Sequence, residues 1–142
     1  MSSFILESDN RSEIAQLLND DAWVIACLCA AWCGTCGQYR DTFGALSARH
    51  PDKRFIWIDI EDQADVVGDL DVENFPTLLI QRRDAVAFFG TVLPDLRVAD
   101  RLIQAQSERT EIEIVAEAES NPERRAWQNE CNLRIRLEEA NT

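Results

Sequence analysis

Positive charge is scarce in this chain. Of 142 residues, 14 are basic and 26 acidic, for a net charge of −12, and Lys53 is the one lysine. Nucleic acids and anionic membranes are bound through positive surface, so this balance argues against both as partners. It favours solubility and a partner with a basic face. Glycine (5) and proline (4) are too few for a collagen-like or low-complexity chain. Long apolar runs are missing too: the longest uncharged apolar run, Ala22–Cys33, is roughly half of what a bilayer needs. Nor is a signal peptide expected, since Glu7, Asp9, Arg11 and Glu13 occupy the place of an apolar h-region. The expected setting is cytoplasmic and reducing. No internal repeat is present.

What is present is an ordinary globular balance, with 46% hydrophobic and 28% charged residues. A chain of this length buries about 68–70% of its unfolded surface, so its core does not depend on disulfides or metal. In a reducing compartment its five cysteines are not a structural disulfide framework, and the odd count agrees. They read as buried thiols, a metal site or redox chemistry.

Along the chain, a short strand is expected at Phe4–Leu6, then a helix capped by Asn10 and running to Asn19, with Ile14, Leu17 and Leu18 as its apolar face. Ala22–Ala30 is continuously apolar, as in a strand buried on both faces. A helix follows from near Cys33 to Arg49, ended by His50-Pro51-Asp52. Arg54–Ile60 alternates with strand period. Asp62–Leu70 reads as a short helix, Thr77–Gln81 as a strand, Arg83-Asp84 as a hairpin turn and Val86–Phe89 as the return strand, ended by Gly90. Pro94 fits the first turn of a helix reaching Ser107. The order β-α-β-α-β-α-β-β-α predicts an α/β fold, a mixed central sheet flanked by helices. Residues 1–107 form the expected core domain. Residues 108–142 read as an acidic extension, in which Asn121-Pro122 opens a helix over 122–139 with Trp127, Cys131 and Ile135 on one face. Trp127 is expected to pack back on the core.

The sharpest feature is Cys33-Gly34-Thr35-Cys36, between a buried strand and a helix N-terminus. Unpaired N–H groups and partial positive charge at that terminus stabilise a thiolate. Two intervening residues leave the second cysteine one turn away, close enough to close a disulfide. The first thiolate can then attack a substrate disulfide and the second resolve the mixed disulfide. A lone C-x-x-C is weak; within a βαβ pattern it reads as a redox motif.

Ala31-Trp32-Cys33-Gly34-Thr35-Cys36 resembles the W-C-G-P-C active site of the thioredoxin family, with Thr35 in place of proline. Phe75-Pro76-Thr77 is similar to that family's cis-proline segment, at matching spacing. The resemblance covers roughly residues 3–107. It implies a thioredoxin fold and thiol–disulfide exchange through a redox-active Cys33–Cys36 disulfide, with Cys33 as nucleophile and Cys36 as resolving thiol. It places Trp32 beside the dithiol and Pro76 in the cis form. Gly34, Thr35, the backbone at Phe75, and Gly90 complete the substrate surface. It implies disulfide-bearing protein substrates and a thioredoxin-reductase-like flavoenzyme that supplies electrons from NADPH. No nucleotide-binding glycine loop is present, so no bound cofactor is expected.

Two departures from the family pattern concern the site. The family buries an Asp six residues before the first cysteine, where this chain has Cys27. It often places a Lys near that Asp, where spacing from Pro76 puts Trp57. Losing both together is coherent, because stranding one buried charge costs roughly 3–5 kcal/mol. Without a carboxylate to take its proton, Cys36 stays neutral longer and mixed disulfides are expected to persist. Cys27 and Cys29 share one strand face. They read as small buried apolar side chains, or as a third thiol relaying oxidation from Cys36. A zinc site from Cys27, Cys29, Cys33 and Cys36 lacks the usual knuckles, and the spacing fails the plant-type iron–sulfur pattern. Cys131 reads as an inert helix-face residue and His50 as a surface residue. The seven acidic residues of Asp59–Glu73 are a solvated face or a steering patch for basic partners.

A rival function is a non-enzymatic acidic adaptor or assembly chaperone. Phe55–Pro94 weakly resembles the thioredoxin-like chaperones of hydrogenase maturation, which lack the dithiol that this chain keeps.

Overall fold

Strand β2 (Trp23–Cys29) is the central element of the architecture, because its run of apolar residues can be satisfied only with both faces covered. The computed structural model describes residues 3–7, 9–20, 22–30, 33–67, 70, 72 and 74–140. Strand β1 is Ser3–Ile5, helix α1 Arg11–Asn19, helix α2 Gly34–Arg49, strand β3 Arg54–Asp59 and helix α3 Ala64–Val67. Strands β4 (Thr77–Arg82) and β5 (Ala85–Thr91) follow, then helices α4 (Leu96–Ser107), α5 (Glu111–Ser120), α6 (Pro122–Glu130) and α7 (Leu133–Ala140). The five strands lie in the order β1-β3-β2-β4-β5. β1, β3 and β2 pair in parallel, whereas β4 and β5 are antiparallel. The mixed sheet flanked by helices is the one the element order predicts.

The period of two along β2 divides the core. Val24, Ala26 and Leu28 face a cluster with Ile14, Leu18 and Val66, which Trp127, Leu133 and Leu137 of the C-terminal helices complete. Ile25, Cys27 and Cys29 face a second cluster with Cys36, Tyr39, Phe43 and Leu46 of α2 and Ala99 and Ile103 of α4. Buried Cys36, Tyr39, Phe43 and Leu46 recur at helical spacing, so one stripe of α2 lies against the sheet. Phe43 packs edge-on against Phe55 at 5.3 Å and Trp57 at 5.8 Å.

Several element boundaries differ from the sequence reading. Asn10 stands at the N-cap of α1, but its side chain makes no capping bond. It accepts from the Glu7 N–H and donates to the Ile5 carbonyl, so it fastens the preceding loop. α3 is a single turn rather than Asp62–Leu70. Its predicted first residue belongs to a turn in which the Asp59 carboxylate accepts the Glu61 and Asp62 N–H groups. Arg83, at φ 51°, makes the hairpin turn as expected, but β5 continues through Gly90. Pro94 lies outside α4, which is capped by Asp95 accepting the Arg97 N–H at 2.9 Å.

His50 is buried, contrary to the surface position expected of it. Its Nε2 lies 2.7 Å from Asp100 Oδ1, and Arg49 donates to the other oxygen of Asp100 at 3.2 Å. This joint ties the C-terminal end of α2 to α4.

The extension is more structured than its acidic composition suggests. α5 starts in a capping box, Thr110 with Glu113. Asn121 caps α6 with Pro122 at the first helical position, as expected. The helix expected over 122–139 is two helices, broken at Cys131-Asn132. The break is held from the sheet. Buried Gln81 donates to Asn132 Oδ1 and accepts the Leu133 N–H, while Asn132 donates to Asp84. Trp127 and Cys131 are buried as expected, but Leu133 and Leu137 carry the buried face of α7 in place of Ile135. Trp127 meets Phe88 edge-on at 5.9 Å and lies 4.0 Å beneath the Arg124 guanidinium. Gln128 reaches the edge strand β5: it accepts the Val86 N–H and donates to the Val86 carbonyl, each at 2.8 Å.

Candidate active site

The site is built where β2 ends and α2 begins. Cys33 is the N-cap of α2, with extended backbone (φ −86°, ψ 120°). Its N–H donates to the Ala30 carbonyl at 3.0 Å, and its own carbonyl accepts the Gly37 N–H at 3.2 Å. Gly34 and Thr35 follow in the first turn and are exposed. Cys33 therefore holds a half-exposed thiol at the positive end of a 16-residue helix. Cys36, one turn further on, is buried.

The pairing of the cysteines differs from the one the resemblance implies. Cys36 is bonded to Cys29, with the Cα atoms 5.7 Å apart, and Cys33 is a free thiol. Cys29 closes β2 on the face that the α2 stripe covers. It therefore lies beneath Cys36 at a separation that suits a disulfide. Cys27, two residues earlier on the same face, brings its Sγ within 3.9 Å of Cys29 Sγ and, as the free thiol of the two, is the donor. The sequence signal for this grouping is the period-two register of Cys27 and Cys29, which aims both at α2.

Beside the cysteines the Phe75–Pro76 peptide bond is cis, as the resemblance implies. The Pro76 carbonyl accepts the Val92 N–H at 3.0 Å, and Thr77 Oγ1 donates to the Asn74 carbonyl at 2.7 Å. Phe75 and Cys33 are partly buried against the same core cluster. Gly90 lies opposite Leu78 in the β4–β5 pair. A Cβ there would meet the Phe88 ring at 3.3 Å, so a side chain would require that ring to shift by a few tenths of an ångström. Gly90 also lines a cleft of about 670 Å³ with Thr77, Thr91, Glu123 and Trp127, so α6 forms a wall close to the cis-proline strand. Trp32 lies outside the described residues, as do Asp69, Asp71 and Glu73 of the acidic run.

Cys27 and Trp57 are register partners across β2 and β3. The Arg40 guanidinium stands over the Trp57 ring at 5.4 Å. Burial pushes the Cys27 thiol well above the ordinary thiol range, so it remains protonated. The Tyr39 phenol is pushed up by burial and then by Cys27. Cys131 belongs to the cluster on the opposite sheet face, and burial pushes its thiol up to about 11. Among the described residues, no group of three or more His, Cys, Asp or Glu side chains is arranged to hold a metal. No helix there is long and apolar enough to cross a membrane.

A strand-helix junction bearing paired cysteines beside a cis-proline, on a sheet of this order, defines a class of thiol–disulfide oxidoreductases. The chain matches the family model "Thioredoxin" over residues 5–94 and belongs to the thioredoxin family. It is 28% identical over 92 residues to "Putative thioredoxin 2" of Streptomyces coelicolor, covering 64% of this chain and 69% of that protein. It is 25% identical over 106 residues to "Thioredoxin H-type" of Picea mariana, covering 75% of each. Among solved structures, a poplar wild-type thioredoxin h superposes with a TM-score of 0.64 at 21% identity, covering 78% of this chain and all of that one.

Proposed function

We propose that this protein is a cytoplasmic disulfide reductase in which Cys33 is the nucleophile and Cys36 the resolving thiol. The Cys33 thiolate attacks one sulfur of a substrate protein disulfide, and the other sulfur leaves as a thiolate. Cys36 then attacks Cys33 Sγ, releasing the second substrate thiol and closing Cys33–Cys36. Two electrons pass to the substrate. Trp32, Gly34 and Thr35 frame the approach. The Phe75 backbone beside cis-Pro76 pairs with an extended substrate segment, and Gly90 keeps that surface open. A thioredoxin-reductase-like flavoenzyme returns electrons from NADPH, and the chain itself binds no cofactor. Residues 1–107 act as the redox module and residues 108–142 as an added extension.

One observation carries this reading: a half-exposed thiol caps α2 beside a cis-proline, in a chain of the thioredoxin family. Insulin reduction driven by dithiothreitol is the test. Catalysis by the full chain that disappears in Cys33→Ser supports the reductase. Absence of catalysis, with stoichiometric partner binding unchanged in Cys33→Ser, favours the adaptor.

A further inference from the structure

The bond between Cys29 and Cys36 joins two of the least accessible sulfurs in the molecule. Cys29 is 1% exposed and Cys36 2%. An external thiolate must approach a disulfide along its S–S axis, and neither end of this one is open to solvent. Cys33 is the half-exposed member of the group, and it stands one helical turn from Cys36. A bridge so placed must be made and unmade from inside the protein.

We propose that Cys29 is the terminal thiol of a three-cysteine relay, in which oxidising equivalents captured at Cys33 end in the buried Cys29–Cys36 disulfide and return to the surface only through Cys33. This rests on the reductase reading and adds a step to it. After the substrate has been reduced, Cys33 and Cys36 are joined. Cys29 attacks Cys36 Sγ, its proton passes to the departing Cys33 sulfur, the Cys33–Cys36 bond breaks and the Cys29–Cys36 bond forms. No electrons enter or leave in this exchange. The net reaction consumes one substrate disulfide and two protein thiols, those of Cys29 and Cys36. It yields two substrate thiols and one internal disulfide.

In the return direction the Cys33 thiolate attacks Cys36 Sγ and expels Cys29 as a thiolate. Cys27 is the positioning residue for that departure. Its Sγ is 3.9 Å from Cys29 Sγ, and its burial keeps a proton on it to donate. The Cys33–Cys36 bond re-formed at the surface is then open to an external dithiol.

The relay gives the oxidised protein an unusual property. Its nucleophile is restored as a free thiol while its resolving thiol is withheld. An oxidised molecule can still capture a second disulfide at Cys33, but the mixed disulfide has no internal thiol to resolve it until the buried bridge opens. Oxidation thus converts a reductase into a trap.

The test oxidises the full chain with insulin and labels free thiols with iodoacetamide. After reduction and a second label of different mass, the cysteines are assigned by fragmentation. Cys27, Cys29, Cys33 and Cys36 share one arginine-free stretch, residues 12–39, so fragmentation within that peptide is required. In oxidised wild type Cys33 should carry the first label and Cys29 and Cys36 the second. In Cys29→Ser the second label should move to Cys33 and Cys36, with insulin still reduced in the first turnover. In Cys33→Ser, treated separately with diamide, the Cys29–Cys36 bridge should form at least tenfold more slowly than in wild type. Oxidised wild type with Cys33 blocked and Cys29 free would overturn the relay while leaving the reductase intact. Equal rates of bridge formation in wild type and Cys33→Ser would overturn the inward route. Failure of wild type to exchange with insulin at all would overturn both the relay and the reductase reading.

Discussion

Cys27 and Trp57 lie side by side across the β2–β3 ladder, at the two positions where the family resemblance expects a buried carboxylate and a buried amine. A thiol beside an indole supplies neither a base nor its counter-charge. If that absence slows Cys36, restoring a carboxylate should hasten it. Cys27→Asp is expected to shorten the lifetime of the Cys33 mixed disulfide at least threefold, at a cost of about 3–5 kcal/mol for a buried charge without its partner. Quenched non-reducing gels against time measure the first quantity and urea unfolding the second. Equal lifetimes in the two proteins would show that resolution needs no buried base.

Asp100 should make stability depend on acid. Burial works against its carboxylate, but the hydrogen bonds from His50 and Arg49 outweigh that and hold it below the ordinary carboxylate range. A carboxylate whose native pKa is depressed adds stability above its unfolded pKa, and that stability is lost as pH falls through the native one. Asp100→Asn is therefore expected to cost about 1–3 kcal/mol at neutral pH. The cost should shrink progressively below about pH 4. Paired denaturant titrations across that range give the difference directly, and a gap that stays constant would refute the assignment.

Trp127 is the anchor of the extension. It is buried against Phe88 and covered by Arg124. Trp127→Ala is expected to lower stability by about 3–5 kcal/mol. Hydrogen exchange should then show loss of protection concentrated in α6 and α7, while β2 and β3 stay protected longest. A uniform loss would mean that the extension and the sheet unfold as one unit.

Cys131 offers a reporter of the same docking. With its thiol pushed up to about 11 by burial, only roughly one molecule in a thousand carries the thiolate at pH 8. Native alkylation at that pH should modify Cys33 first and leave Cys131 unmodified for as long as α6 stays seated. Urea too dilute to unfold the sheet, or the Trp127→Ala change, should expose Cys131. Fast labelling of Cys131 in the untreated protein would contradict the packing described.

Much of this molecule was legible in order along the chain because its signals are local. The alternation of β3, the apolar run of β2, the C-x-x-C at a helix start and the Phe-Pro-Thr segment each declare themselves within a few residues. What escaped depends on partners far away. His50 is buried because Asp100 receives it, and the helix break at Cys131-Asn132 depends on Gln81 of β4. The bond to Cys29 depends on how α2 lies over β2. α5 is a different case. Its Thr110…Glu113 capping box was readable, but few buried apolar positions, Ile114 and Ala118, follow it, so the periodic stripe that identifies a helix is weak.

The clasp of Gln128 on Val86 has a consequence for how copies of this chain meet. β5 is an outer strand of the sheet, and an open outer strand is a template on which another chain can add a strand of its own. By occupying both backbone groups of Val86, the amide of Gln128 stands where an intruding strand would bond. The extension is in this respect a guard against self-association. A chain ending at Ser107 would be expected to form higher-order species visible by light scattering, and Gln128→Ala a milder version of them.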